Sequence, residues 1–281
     1  MQAHVLKKCL MKMLWLMLTS IYSKVICVIN ESIFYVINLD KSTTRFEKFK
    51  NTFDPLELTI SKISAVDGNS IDFKVFSNDI ECRREMGRSI QPGEVGCFLS
   101  HRKALENFLK TDSEYALIFE DDAVPTAQFK DVVESLTKSF LKEKKNVIAI
   151  NLGATDFKYS SPYLNLGSHT LRCTHRFPML ATCVLWTRYG ANLFIKNSSK
   201  VTMPYDNFLR YLFSGTNRVF SVQPPVISGS GDDSDIKSRN LSNRRSGQNR
   251  SQFYFFIKQY RNIRYKLRAI RAFIRWLFYK K

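Results

Sequence analysis

The sequence predicts an α/β fold, with a Rossmann-type, mostly parallel β-sheet between flanking helices. The first observation is a run of apolar and aromatic residues at 115–119, typical of a buried strand, which leads directly into Glu120, Asp121 and Asp122. The second is the order strand, helix, strand over residues 33–66, which favours a right-handed parallel crossover. Because open α/β sheets bind ligands beyond the carboxyl ends of their strands, we expect a functional site beside these acids.

The remaining elements are predicted from the same signals along the chain. Strands are predicted at residues 33–39, 58–66, 146–152, 179–186 and, at an edge of the sheet, 218–222. Helices are predicted at residues 44–53, 93–109, 126–144, after Thr187 and after Pro204. Residues 70–89 are interpreted as a long loop that could cover the site, and the turn-rich residues 153–177 predict no regular element.

Composition is that of a globular protein, whereas the charge is concentrated in one segment. The 281 residues suffice for one large α/β domain or two small ones, and 44% of them are hydrophobic. The net charge is +18, but residues 236–281 hold fourteen Lys or Arg and no acid, which leaves +4 for residues 1–235. A near-neutral body argues against nucleic-acid binding, because a recognition domain should carry its own basic face. The six cysteines lack metal-ligand spacing, as is typical of free thiols in a reducing compartment.

Residues 1–30 are interpreted as an extension that precedes the first domain. Lys7, Lys8 and Lys12 precede a short apolar run, as in a signal peptide, but Lys24 interrupts this run and no good cleavage site follows. A membrane span needs roughly 20 apolar residues. A membrane anchor, a poorly ordered extension and a start codon placed too early remain alternatives.

The predicted helix at 93–109 carries polar residues on an otherwise apolar face. Glu94, Cys97, His101, Leu105 and Phe108 recur at helical spacing and share this face. Polar groups on a buried face are costly unless they are satisfied, so the end of the helix near Glu94 and His101 should line a polar cavity. The alternative is that these two residues only tie down neighbouring loops.

The three consecutive acids predict a site for a divalent cation. Adjacent carboxylates repel one another, and Mg²⁺ or Mn²⁺ prefers oxygen ligands. Strand alternation places Glu120 and Asp122 on one side, as the expected metal ligands, and Asp121 on the other. Asp121 stays a candidate because the pleat need not persist beyond the strand. A solvated acidic turn is the alternative.

The C-terminal part predicts a linker and a basic amphipathic helix. Residues 228–251 are rich in Ser, Gly, Asn and Arg, and residues 252–281 form the helix, which leaves 31–227 as the main domain. One stripe of this helix is apolar: Phe256, Tyr260, Ile263, Leu267, Ile270, Ile274 and Leu277. The adjoining face is basic: Lys258, Arg261, Arg264, Arg268, Arg271 and Arg275. Such a helix commonly lies on anionic lipid, although packing against the body or against a partner helix is an alternative.

Several motifs together resemble glycosyltransferase family 25, the lipooligosaccharide-type sugar transferases that also have collagen-modifying relatives. They are YVINLD at 35–40 followed by Arg45, AVDG at 65–68, GEVGCFLSH at 93–101, LIFEDD at 117–122, and residues 182–191 followed by PYD at 204–206. The resemblance covers roughly residues 33–227. Tyr205 departs from it, since the family more often has a small aliphatic residue there.

The resemblance implies a GT-A-like fold and transfer of a hexose, galactose or glucose, from a UDP-sugar to a saccharide acceptor with inversion. It implies that the donor and its cation are bound by Asn38, Arg45, Asp67, Glu120, Asp121 and Asp122. A lipid-linked acceptor of lipooligosaccharide or lipopolysaccharide synthesis implies a cytoplasmic protein, peripherally associated with the inner face of the membrane. The basic helix would then meet an anionic membrane surface.

Sugar transfer also needs a base that removes a proton from the acceptor hydroxyl. Glu94, His101 and Asp206 all qualify by their chemistry, with Asp206 or Glu94 favoured. A metal-dependent phosphohydrolase that uses the same acids is the rival function. It would need a phosphate-cradling loop, and the sequence contains neither a P-loop nor a dinucleotide fingerprint.

Overall fold

The computed structural model describes residues 31–230 and 250–279, so the predicted extension at 1–30 and most of the predicted linker lie outside it. The strands are β1 (Ser32–Asn38), β2 (Ile60–Ser64), β3 (Tyr115–Glu120), β4 (Ala123–Pro125), β5 (Ala149–Asn151), β6 (Ser160–Leu166), β7 (His169–Thr174), β8 (Cys183–Thr187), β9 (Val219–Gln223) and β10 (Ile227–Gly229). Eight of them form one sheet in the order β2-β1-β3-β8-β5-β9-β7-β6, and β10 pairs with β4.

The helices are α1 (Thr43–Phe53), α2 (Phe73–Phe76), α3 (Asp79–Met86), α4 (Pro92–Leu109), α5 (Phe129–Ser135), α6 (Leu141–Glu143), α7 (Arg188–Asn197), α8 (Tyr205–Phe213) and α9 (Tyr254–Tyr279). Short helical segments at Asp54–Leu56 and Leu136–Phe140 extend α1 and join α5 to α6. None of the helices in the described ranges combines the length and apolarity that crossing a membrane requires.

The α/β class with flanking helices and a C-terminal helix, predicted from the sequence, is confirmed, and the sheet is mixed. Strand β1 runs parallel to β2 and β3, and β5 runs parallel to β9. Strand β8 is antiparallel to β3 and β5, and β7 is antiparallel to β6 and β9. The parallel crossover predicted for residues 33–66 therefore forms one edge of the sheet, with β2 outermost and β1 next to it.

Two hydrophobic clusters cover the two faces of the sheet, so its central strands are buried on both sides. Along β3, Ala116 and Ile118 join the cluster that contains α4, α7 and α8. Leu117 and Phe119 join the cluster that contains α1 and α5. The continuous apolar run that predicted this strand is thus explained by burial on two faces.

Two predictions about secondary structure are wrong, for residues 70–89 and for β9, and one region whose sequence was uninformative, 153–177, contains a hairpin. Residues 70–89 are not a loop, since α2 and α3 form there with Asp72 and Asn78 as capping side chains. Residues 153–177 contain the hairpin β6–β7, whose first strand interrupts its pairing beside Pro162 and therefore lacks a regular strand pattern. Strand β9 is internal, between β5 and β7, because that hairpin adds two strands beyond it.

The loop after β2 packs directly against the beginning of α4, and glycines allow this close approach. A Cβ on Gly68 would lie 1.7 Å from the main-chain oxygen of Pro92, and one on Gly96 would lie 2.5 Å from that of Val66. The Ser100 hydroxyl accepts a hydrogen bond from the Val66 amide at 2.8 Å. These contacts fix the end of α4 that carries Glu94 and His101.

Candidate active site

Strand β3 ends at Glu120, whose side chain faces helix α4. Its Oε1 lies 3.6 Å from Nε2 of His101, one helical turn after Cys97. Ligand atoms of Cys97, His101 and Glu120 all lie within 4.8 Å of one another. His101, from the polar end of the α4 face, therefore lies beside Glu120, the first of the three acids.

Asp121 contacts other side chains, near the end of β1 and the beginning of α1. It forms an ion pair with Arg45 of α1, and its Oδ2 accepts a hydrogen bond from Nδ2 of Asn38 at 2.7 Å. The same Asn38 amide donates to the main-chain oxygen of Ser42 at 3.1 Å. Three of the predicted donor-binding residues thus form one connected group at the ends of β1 and β3.

Asp122 has a carboxylate oxygen without a hydrogen bond. Its main-chain oxygen accepts from the Ser230 amide at 2.8 Å, but its Oδ1 is buried and has no hydrogen-bond partner among the described residues. A buried polar atom left without a partner costs free energy, so this oxygen is suited to a bound cation or donor.

A cleft of about 390 Å³ opens beside Asp121 and Asp122. Its lining residues come from α1, from the segment around β4 and from the end of β10: Arg45, Lys48, Phe49, Asn51, Thr52, Asp121, Asp122, Ala123, Val124 and Ser230. Carboxylates and basic side chains therefore meet around one concave space, which suits a ligand that carries both phosphates and a cation.

The Glu120 carboxyl has a perturbed pKa. The side chain keeps 37% of its surface exposed. Dense packing around the remainder, followed by the charges of Asp122 and Asp121, raises its pKa to about 7, against the lowering effect of Arg45. A cation bound here would relieve this repulsion.

His101 is a neutral imidazole in this environment. It is buried, and desolvation lowers its pKa to about 3 despite the nearby charge of Asp206. Its ring stacks on Tyr205, with centroids 3.7 Å apart and ring planes at 10°. Because such an imidazole binds a proton too weakly, His101 is a poor general base near neutral pH. It is suited to orienting neighbouring groups or to binding a metal.

Asp206 lies in the first turn of α8, next to Tyr205. Burial, followed by the charge of Glu120, raises its pKa to about 6, while a hydrogen bond from the Leu180 amide and the charge of Arg210 lower it. A carboxylate with a pKa near the working pH can accept a proton and still be largely ionised beforehand. Among the three predicted candidates, Asp206 has the chemistry of a base.

Glu94 is instead engaged in an ion pair that orders the start of α4. Its two carboxylate oxygens accept hydrogen bonds from Arg88 at 2.8 and 2.7 Å, and one of them also accepts from the Gln91 amide at 3.1 Å. Asp67 has a comparable local partner in Lys41, and it accepts from the Asn69 amide at 3.1 Å.

Two functional candidates were missed by the sequence reasoning. Asn151, at the end of β5, donates to the main-chain oxygen of Leu180 at 2.9 Å, and Leu180 in turn holds Asp206. Leu180 has a φ of +71°, which is rare for a branched residue and is found more often near functional sites. The available signal was a buried polar residue at the carboxyl end of a sheet strand, as for β3.

The side chains present fit a divalent cation. Asp122 offers an unpartnered oxygen, and Glu120 is a carboxylate that a positive charge would stabilise. Both are the hard donors that Mg²⁺ and Mn²⁺ prefer. Cys97 and His101 would add softer ligands to Glu120, which suits zinc better than magnesium.

Comparison with known protein families decides what kind of protein carries this site. The model of glycosyltransferase family 25, described as an LPS biosynthesis protein, matches residues 31–209. The chain belongs to glycosyltransferase family 25. The matched region contains β1, β3, α4 and the beginning of α8, and with them every residue of the site described above except Ser230.

Three curated relatives of this family 25 chain come from animals. A glycosyltransferase 25 family member of Anopheles gambiae is 35% identical over 94 residues, which cover 31% of this chain and 16% of the relative. The inactive glycosyltransferase 25 family member 3 of Homo sapiens is 30% identical over 125 residues, 42% of this chain and 21% of the relative. Procollagen galactosyltransferase 2 of Mus musculus is 26% identical over 134 residues, 46% of this chain and 21% of the relative. The chain thus matches about a fifth or less of the length of these relatives.

Two solved structures of glycosyltransferases show weak similarity. One is a glycosyltransferase involved in the glycosylation of the major capsid of PBCV-1. It has a TM-score of 0.40 and 10% sequence identity, and the aligned region covers 76% of this chain and 98% of that glycosyltransferase. The other is a Drosophila β-1,4-galactosyltransferase 7 in complex with manganese, UDP-Gal and xylobiose, with a TM-score of 0.30 and 9% identity over 80% and 79% of the two chains. Similarity at this level carries no information about substrate.

Proposed function

We propose that this chain transfers a hexose from a UDP-sugar to a hydroxyl group of a saccharide acceptor, with inversion at the anomeric carbon. The observation that carries the proposal is the group of side chains around the end of β3, where Glu120 lies 3.6 Å from His101 and His101 stacks on Tyr205, the residue before Asp206. Membership of family 25 supports the reaction class, and the geometry supports the proposed choice of residues.

Asp206 acts as the general base. It takes the proton of the acceptor hydroxyl while the acceptor oxygen forms a bond to the anomeric carbon. The bond between that carbon and the diphosphate oxygen breaks, and UDP leaves with the electron pair. Asp206 is suited to this step because its pKa of about 6 leaves it mostly ionised at neutral pH.

The three acids at the end of β3 have different partners, and we assign them different roles for that reason. Glu120 and Asp122 would hold the divalent cation, and when bound it would act as a Lewis acid toward the leaving diphosphate. Asp121 is engaged by Arg45 and Asn38, so it fixes the ends of β1 and β3. His101, neutral and stacked on Tyr205, orients Glu120 from the other side.

The names of the family and of its relatives suggest which substrates to test. The mouse relative is named a procollagen galactosyltransferase, and this is the reason to test UDP-galactose before UDP-glucose. The description of the family as LPS biosynthesis proteins favours a lipid-linked lipooligosaccharide acceptor. An acceptor of that kind would place the protein in the cytoplasm, at the inner face of the membrane.

The decisive assay measures UDP released from UDP-galactose and UDP-glucose, with Mn²⁺, across a panel of saccharide and lipooligosaccharide acceptors. We expect release that depends on an acceptor, and a decrease of roughly 10²–10⁴-fold for Asp206→Asn. The matched control, Asp112→Asn, alters an exposed aspartate and should retain the parent rate. Phosphate release from simple phosphate esters, without acceptor-dependent UDP release, would establish the phosphohydrolase instead.

A further inference from the structure

Helix α9 docks on the body of the protein through one narrow face. The buried residues of this face recur at helical spacing: Arg261, Tyr265, Ala269 and Ala272. The two alanines are fully buried, which allows the helix backbone to approach the body closely. Nδ2 of Asn217 donates to the main-chain oxygen of Ala272 at 2.7 Å and fixes this approach.

Arginines next to the docked face are engaged by the body. Nη1 of Arg261 donates to the main-chain oxygen of Glu85 in α3 at 2.8 Å, and Arg264 forms an ion pair with the carboxylate of the same residue. Arg268 donates to the main-chain oxygen of Tyr211 in α8 at 3.1 Å. These contacts hold the helix in one orientation, so α9 is an integral part of the fold.

The opposite face of α9 is apolar and open to solvent. The exposed fraction of the residues in this stripe lies between 46% and 70%: Phe256, Tyr260, Ile263, Leu267, Ile270, Ile274 and Leu277. Single exposed apolar residues are ordinary, but a contiguous stripe over a helix of 26 residues marks an interaction surface.

Basic side chains flank this stripe on both sides. Lys266 and Arg271 are exposed, and their helical positions place them on opposite sides of Leu267. The sequence of α9 contains no acidic residue. A second copy of the chain would bring these positive charges together, whereas an anionic surface complements them.

We propose that α9 lies along the surface of an anionic lipid bilayer, with its apolar stripe inserted at the boundary between headgroups and acyl chains. Lys266 and Arg271 then reach the anionic headgroups from either side of the stripe. The inference is independent of catalysis, because it rests on the exposed face of one helix.

The docking also relates the bilayer to the proposed active site. Arg268 of α9 contacts Tyr211 of α8, and α8 begins with Tyr205 and Asp206. If the proposed function holds, the membrane-bound helix keeps the base at a fixed position relative to the membrane, where a lipid-linked acceptor is presented.

The first test measures sedimentation of the full chain with phosphatidylglycerol vesicles and with phosphatidylcholine vesicles. We expect salt-sensitive binding to the anionic vesicles. One basic residue near an anionic surface contributes roughly fivefold in affinity, so K266Q with R271Q should weaken binding about 25-fold. The matched control, K110Q with K196Q, removes two exposed lysines outside α9 and should bind as the parent does. Equal binding by both double variants would overturn the proposal.

The second test locates the contact. Ile270→Trp introduces a fluorophore on the stripe, and Thr44→Trp introduces one at an exposed position of α1 away from the cleft. With brominated phosphatidylglycerol vesicles, we expect additional quenching for Ile270→Trp only. Equal quenching of the two variants would overturn the proposal. So would sedimentation equilibrium that shows a dimer dissociated by L267S with I270S, because the stripe would then bind a second copy.

Discussion

At the scale of single residues, burial decides which ionisable side chains carry charge in this site. It lowers the pKa of His101 to about 3 and raises that of Glu120 to about 7 and that of Asp206 to about 6. Near neutral pH the imidazole is therefore uncharged, while the carboxyl groups titrate close to the working pH. Such separation of pKa values is how one site obtains distinct acid and base groups.

The first prediction concerns the pH dependence of transfer. Asp206 must be ionised to accept a proton, so kcat/KM should decrease about tenfold per pH unit below pH 6, the pKa of this carboxyl group. The rate should be nearly constant just above that pH. The measurement is a pH profile of acceptor-dependent UDP release for the parent protein and for Asp206→Asn. A residual rate in Asp206→Asn with the same acidic limb would assign the base to another residue.

The second prediction concerns stability without added cation. Folding raises the pKa of Glu120 from 4.5 to about 7, so the folded state binds this proton more tightly than the unfolded state. Its contribution to stability is fully present below pH 4.5 and is lost as the pH rises through about 7. We therefore expect the free energy of unfolding of the parent to decrease relative to Glu120→Gln over this range, measured by denaturant titration in EDTA. The exposed-site control Glu114→Gln should show no such trend, and a constant difference for Glu120→Gln would contradict the account.

At the scale of elements, α4 brings the site together because its first turn is fixed by the loop after β2. Gly68 and Gly96 let that loop contact the helix backbone, and the ion pair between Arg88 and Glu94 closes the same end. The sequence motifs AVDG and GEVGCFLSH therefore pack directly against each other. This contact positions His101 against the end of β3.

The third prediction separates a structural Glu94 from a catalytic one. The side chains of Glu94 and Arg88 are 4% and 17% exposed, so Arg88→Met would leave a buried carboxylate without its partner, at a cost of about 3–5 kcal/mol in unfolding free energy. Glu94→Gln should also lower stability but retain kcat per folded molecule. Thermal unfolding and rate measurements on the same samples check this.

The control for that prediction is an exposed pair on the same helix. Arg102 and Glu106 form an ion pair at 2.8 Å with 29% and 41% exposure, and Glu106→Gln should alter stability by less than about 1 kcal/mol. Loss of turnover in Glu94→Gln without a change in thermal stability would make Glu94 the base, contrary to the present assignment.

At the scale of the whole molecule, the sequence predicted the parts of the site that lie on strongly patterned elements. The strand before the acids and the polar end of α4 follow from the apolar run and from helical periodicity, whereas strand alternation does not extend to Asp122, which lines the same cleft as Asp121. Two contacts could not be predicted: the stacking of His101 on Tyr205 and the hydrogen bond from the Leu180 amide to Asp206. Each joins segments whose separation in space depends on the complete sheet. The hairpin β6–β7 was missed because its first strand contains Pro162 and its four exposed residues, 162–165, follow one another without alternation.

For the C-terminal helix, too, the pattern on the helix was predicted from the sequence and its contacts with the body were not. Periodicity in the sequence predicted one apolar stripe with basic neighbours, but it could not tell which face contacts the body. In the structure the small residues Ala269 and Ala272 are buried and the large apolar residues are exposed. Close approach to the body selected the small side chains, so the stripe remains open for the proposed membrane surface.

The measurement that tests the central claim most directly is calorimetric titration of UDP into the protein with and without Mn²⁺, for the parent and for Asp122→Asn. The account predicts that UDP binds the parent much more tightly with Mn²⁺ present, because Glu120 and Asp122 would hold a cation that offsets the charge of the diphosphate. It predicts that Asp122→Asn loses this dependence while it unfolds at the parent temperature. Mn²⁺-dependent UDP binding that is unchanged in Asp122→Asn, or no UDP binding by the parent, would contradict it.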